Sequence, residues 1–127
     1  MLADLLHIED AQERLGVLVE RARSRLAVSR AEHIDAHRVP GCISPVWLVC
    51  EFRDGRCFFR SDAESPLVRG LVALLCDLYN DSDPREVCAT EPAILEQLGL
   101  LRTLSPTRVN GLRSVRANIR EFAARHV

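Results

Sequence analysis

The stretch "VWLVCEFRDGRCFFRS", residues 46–61, decides the fold. Residues 46–52 are rich in β-branched and aromatic side chains, which suit a pleated, half-buried surface. Asp54-Gly55 follows, and both positions tolerate the positive φ of a two-residue hairpin turn. Residues 56–61 then run back as the partner strand. Counting outward from the turn pairs Arg53 with Arg56, Phe52 with Cys57, Glu51 with Phe58 and Cys50 with Phe59. One face of this hairpin carries Leu48, Cys50, Phe52, Cys57 and Phe59, and it is predicted to pack on helices. The "RVPG" of residues 38–41 adds a candidate third, short strand on the far side of 46–52.

Helical spacing surrounds the hairpin. Within residues 9–31, Leu15, Leu18, Val19, Ala22 and Leu26 recur at three and four, predicting an amphipathic helix. Residues 66–79 predict a second helix, with Pro66 at its first position and Asp62, Ser65 or both as cap. Its apolar arc takes in Leu67, Val68, Leu71, Val72, Leu74, Leu75, Leu78 and Tyr79, with Arg69, Ala73 and Asp77 opposite. Short helical pieces follow near 83–88 and 92–98. A last helix over about 106–125 has Leu112, Val115, Ile119 and Phe122 as its stripe. The class is α+β, helices layered on a small antiparallel sheet.

Composition narrows the function. The chain has 127 residues, 47% of them hydrophobic, enough for one domain with its own core. A net charge of -1 from 17 basic and 18 acidic residues gives no pull toward nucleic acid or acidic membranes. All the basic residues are Arg. No run of apolar residues is long enough to span a bilayer. The start, "MLADLLHIEDAQERLG", has acids early and does not read as a signal peptide. The expected location is the cytoplasm. There the five cysteines, an odd number with no CxxC pair, stay reduced.

The thiols differ by context. Cys50 and Cys57 lie on the inward hairpin face as small hydrophobes. They are diagonal neighbours at roughly 7–8 Å, too far for an unstrained disulfide. Cys76 borders the arc of helix 66–79, and Cys88 sits between two short helices. Cys42 instead lies among Pro40, Gly41, Ser44 and Pro45, residues of loops. Gly41 leaves space for another molecule to approach. Pattern alone leaves Cys42 open between an incidental loop thiol and a reactive group carried on a loop. His33 and His37 have the i, i+4 spacing of half a metal site, with no second half evident and polar surface as the plainer reading.

Three segments carry a resemblance. "GCISPVWLV", "SDAESPLVRGLVALL" and "LSPTRVNGL" occur in this order and at spacings similar to those of the SufE/CsdE family of sulfur-acceptor proteins of iron–sulfur cluster assembly. The resemblance implies a single domain over 1–127, with a helical segment at 1–37 and the motif-bearing core at 38–125. It implies the fold shared with IscU scaffolds, a three-stranded antiparallel sheet with helices mainly on one face. By it, Cys42 takes persulfide sulfur from a pyridoxal-phosphate-dependent cysteine desulfurase of the SufS/CsdA type, stimulates that enzyme, and passes sulfur to a SufBCD-type scaffold. The persulfide is transient, and no resident cofactor or metal is implied. Gly41, Ser44, Asp62 and Arg108 are the supporting positions. Arg108 is the candidate positive charge near the thiol, and Asp62 a helix cap or loop holder. Cys42 is expected to be sheltered at rest, since an exposed persulfide is easily oxidised. The alternative is an iron–sulfur or zinc scaffold of IscU type. It fits less well, because the second and third motifs carry Asp62 and Arg108 and no cysteine.

Overall fold

The computed structural model describes residues 7–23, 28–42 and 44–127. Strands β1 (Val46–Arg53) and β2 (Arg56–Ala63) form an antiparallel hairpin. Its register is the one counted from the turn, running from Arg53↔Arg56 out to Val46↔Ala63. Asp54 and Gly55 both have positive φ, 51° and 76°, as a tight hairpin turn requires.

Among the described residues the sheet has two strands, not the three expected. Residues 38–41 contribute one bridge, Arg38 to Trp47, and one hydrogen bond, Val39 N–H to the Val46 carbonyl at 2.9 Å. The pairing stops there for a local reason. Pro40 has no N–H to give, and Gly41, at φ 85°, turns the chain away. The opposite edge is also closed by a single bridge, Cys57 to Ser82. Each edge is thus blunted without a full strand.

The two hairpin faces are covered differently. Leu48, Cys57 and Phe59 are buried against helices, as the alternation predicts. Toward the turn that cover is one-sided: Cys57 on β2 is fully buried, whereas on β1 Cys50 is half-buried and Phe52 is 39% exposed. Phe52 stacks on His126, ring centroids 4.3 Å apart, in place of core packing. The outer face carries Trp47, Val49 and Glu51 with Arg60 and Asp62. The segment leading into the hairpin covers it. This segment is two 3-10 turns, Arg30–Glu32 and Asp35–His37. The helix predicted over 9–31 is seen as α1, Ala11–Arg23. Its Leu15, Leu18 and Ala22 are buried as expected, and Leu26 lies outside the described residues.

Helix α2 (Pro66–Tyr79) starts at Ser65, whose hydroxyl accepts the Val68 N–H. Its centre is buried on nearly every side, because β2, α1 and α6 all pack on it. Ala73, assigned to the outer face by spacing, is therefore buried, and Leu67, Val68 and Leu78 are only half-buried. At the α1 crossing, a side chain on Gly70 would meet the Leu18 backbone at 3.0 Å. Then come α3 (Pro84–Ala89), capped by Asp83, and two single turns, α4 (Ile94–Gln97) and α5 (Leu100–Thr103). The first falls within the piece expected over 92–98, and the second, set off by Gly99 at φ 69°, was not expected. Helix α6 (Pro106–Ala124) is capped by Ser105 and buries Leu112, Val115 and Ile119. No helix among the described residues is long and apolar enough to cross a membrane.

Candidate functional site

The hydrogen bond from the Val39 N–H to the Val46 carbonyl closes the base of the turn that carries Cys42. Val39 and Val46 are both buried, so the loop is carried on a fixed stem. Gly41 lies against α6. A Cβ there would stand 2.7 Å from Ser114 Oγ, and the φ of 85° already favours glycine. The room Gly41 provides is thus filled by the protein's own helix. This approach brings Cys42 to α6, where its S–H donates to the Gly111 carbonyl at 3.6 Å. Gly111 faces the sulfur, and a Cβ there would stand 3.8 Å from Sγ, an ordinary contact.

Cys42 lines a cavity of about 230 Å³ between the loop, α2 and α6. The inner wall is apolar, with Val46, Leu71, Val72, Leu112 and Val115 buried around it. The rim is polar, with Ser44, Ser105, Thr107 and Arg108. None of the other four cysteines lines it. Burial pushes the Cys42 thiol up, and the charge of Arg38 partly offsets this. The cation acting on the thiol is thus Arg38, two residues before the loop, which sequence reasoning passed over. Arg108, the expected one, lines the same cavity.

Asp62 is not at the cavity. Its carboxylate accepts from His33 Nε2 at 2.8 Å and Arg69 Nε at 2.8 Å. Arg69 also donates to the Ala63 carbonyl. Asp62 therefore ties the lead-in segment and the start of α2 to the end of β2, and Ser65 alone caps α2. The two histidines do not form a half-site. His33 bonds Asp62 and lies 4.4 Å from the Trp47 ring, while His37 Nδ1 bonds the Glu32 carbonyl. Among the described residues no three or more His, Cys, Asp or Glu side chains converge to hold a metal ion.

Gly111 lies in the quoted segment "LSPTRVNGL" but was given no role there, and Ser114 was not singled out. Gly111 had a signal: glycine inside a helix costs stability relative to alanine, so its place within the helix asks for a reason. Ser114 had none.

The family model for SufE, described as an Fe-S metabolism associated domain, matches residues 1–123. An uncharacterised SufE-like protein of Rhizobium etli is 30% identical over 97% of this chain and 86% of its own length. An uncharacterised SufE-like protein of Synechocystis is 37% identical over 65% of this chain, and the match spans 52% of that protein. A chloroplastic quinolinate synthase of rice is 38% identical over 71% of the chain but only 13% of its own length. A solution structure of a hypothetical protein from Thermus thermophilus has the same fold. Its TM-score is 0.79 at 19% identity, covering 98% of this chain and 91% of that one. The chain belongs to the SufE family, whose domain is associated with iron–sulfur metabolism.

Proposed function

We propose that the chain is a sulfur carrier of iron–sulfur cluster assembly, with Cys42 as the sulfur-accepting thiol. One observation supports this reading above others: the loop thiol Cys42 stands at an apolar cavity between α2 and α6. Sulfur relay needs a thiol that a large partner can reach and a place where the product is kept from water. A loop on a fixed stem meets the first need and the cavity the second.

The step is an exchange. A cysteine desulfurase of the SufS/CsdA type, using its own pyridoxal phosphate, presents a cysteine persulfide. The Cys42 thiolate attacks the outer sulfur. The S–S bond of the donor breaks, and its electron pair returns to the donor cysteine as thiolate. A new S–S bond forms on Cys42. Electrons balance without an outside oxidant, and removing the sulfur clears the desulfurase for its next turnover. Passage to a SufBCD-type scaffold repeats the exchange with Cys42 as the donor. The setting is the cytoplasm, where thiols are kept reduced. Arg38 favours the thiolate, while Gly41, Ser44 and Arg108 shape the loop and the rim.

The test is to incubate the protein with a desulfurase and L-cysteine and map the product by mass spectrometry. One added sulfur atom on the Cys42 peptide is expected, absent in Cys42→Ser. Sulfur on Cys50 or Cys76 instead, or on no thiol, overturns the reading. Stable iron or zinc lost in Cys42→Ser would point to a scaffold.

A further inference from the structure

Positive charge gathers at the Cys42 cavity without a counter-charge. Arg108 lines the cavity, and the charge of Arg38 acts on the thiol. Both arginines are exposed, and among the described residues neither guanidinium has a hydrogen-bond or ion-pair partner. Three arginines of the scaffold are committed instead. Arg60 holds Glu32, Arg69 holds Asp62, and the buried Arg116 donates to the Thr90 carbonyl and lies over the Tyr79 ring. Among the described residues no Asp or Glu lines the Cys42 cavity.

Two helices also begin at this cavity. Ser65 and Ser105, the caps of α2 and α6, are both in its lining. A helix start carries a partial positive charge, which an acidic side chain in the first turn stabilises. Neither α2 nor α6 has an acid in its first turn. Glu64, next to the α2 cap, is exposed and does not line the cavity. Two guanidiniums and two helix starts thus bear on one thiol. At about 230 Å³ the cavity has room for a molecule of a few carbons, since benzene fits in about 150 Å³.

We propose that Cys42 also exchanges sulfur with small thiols that carry a carboxylate, the carboxylate lying at the exposed Arg108 and the thiol at Cys42. This rests on the sulfur-carrier reading, since it concerns the loaded form of the same thiol. The small thiolate attacks the outer sulfur of the Cys42 persulfide. The S–S bond of that persulfide breaks, and its electron pair stays on Cys42 as thiolate. The new S–S bond makes the small molecule the persulfide, and the proton of the outer sulfur goes with it. No oxidant or reductant is consumed. The cations serve the step twice, by drawing in the anion and by favouring the thiolate that leaves. A cationic thiol is repelled at the same place. The size of the cavity favours a small thiol over a segment of another protein.

The test uses the whole protein, loaded at Cys42 with inorganic polysulfide so that no desulfurase is needed. Loss of sulfur from the Cys42 peptide is followed by mass spectrometry with mercaptoacetate, its neutral amide mercaptoacetamide, and the cationic cysteamine. Each rate is taken per thiolate present and divided by the rate on a protein carrying Arg38→Gln and Arg108→Gln, which cancels intrinsic reactivity. The amide then reports the effect on the leaving thiolate alone. Mercaptoacetate is expected to gain about five- to tenfold more than the amide from the two arginines, and cysteamine to gain less than the amide. On the parent protein the advantage of mercaptoacetate should vanish in about 1 M salt, where charges are screened beyond about 3 Å. Equal ratios for the three thiols, or an advantage that such salt leaves intact, overturn the proposal. A salt-sensitive preference shown by a desulfurase and by none of the small thiols would assign the charge to a protein partner, and overturns it too. These failures leave the carrier reading standing, because that reading is tested by uptake of sulfur onto Cys42. A Cys42 that takes no sulfur from polysulfide or desulfurase overturns both.

Discussion

The Cys42 sulfhydryl and the Gly111 carbonyl, 69 positions apart in the chain, meet at 3.6 Å. Two glycines lie at this contact, and only one of them has to be glycine. Gly111 is an ordinary helical residue that happens to face the sulfur, and a Cβ there would stand 3.8 Å from Sγ, normal contact. Alanine is favoured over glycine within a helix by roughly 0.5–1 kcal/mol. Gly111→Ala is therefore expected to raise the urea midpoint of unfolding. A lowered midpoint would mean that Cys42 needs more room than the contact distance implies.

Gly41 is the opposite case. Alanine there must adopt φ 85° and place its Cβ 2.7 Å from Ser114 Oγ. Gly41→Ala is expected to cost about 1–3 kcal/mol of stability in urea unfolding. Adding Ser114→Ala removes the oxygen but not the φ strain, so it should recover only part of the loss. Full recovery would show that strain plays no role.

The Cys42 thiol is raised by burial and partly lowered by Arg38. Removing the cation leaves the burial effect unopposed, so Arg38→Gln should reduce the thiolate fraction at any given pH. The rate of Cys42 alkylation by iodoacetamide, followed by mass spectrometry, is expected to fall several-fold at neutral pH. Its pH midpoint should move upward. A rate that does not change would assign Arg38 to the bridge with Trp47 alone.

Asp62 joins three segments through His33, Arg69 and the sheet. Hydrogen bonds to charged groups are worth about 1.5–3 kcal/mol, less where water screens them. Asp62→Ala is expected to lose about 1–3 kcal/mol of stability, with His33 released from its partner. Below the unfolding transition, alkylation of Cys42 should be little altered, because Asp62 does not line the cavity. A large change in that rate would give Asp62 a direct part in the site.

Cys50 is pushed up to about 12, chiefly by burial. In the unfolded chain a cysteine thiol ionises near about 8.5. Between those values the folded protein holds a proton that the unfolded chain releases, so stability falls as pH rises. Its contribution is intact below the unfolded value. Cys50→Ala should flatten the decline of unfolding midpoint between about pH 8.5 and 10. An equal slope in variant and parent would place the alkaline sensitivity elsewhere.

Sequence alone determined the hairpin and its register, because a two-residue turn with positive φ at both central positions permits only one pairing. Capping and periodicity likewise located α2 and α6, since Ser-Pro starts and apolar stripes are local signals. Cys42 stood out as the loop thiol among five for the same local reason. Tertiary structure decided what lies against what. The sheet stops at two strands because Pro40 and Gly41 end the pairing just where a third strand would extend. Phe52 is exposed because the helices cover β2 more fully than β1, and Ala73 is buried because α2 is packed from three sides. Arg38 and Gly111 come to Cys42 from opposite directions in the chain, and Asp62 leaves the site to hold the scaffold. Arg116 looks like one more surface arginine until Tyr79 and Thr90 close over it. Burial and charge at a point depend on every segment that packs there, and no single stretch of the chain carries that information.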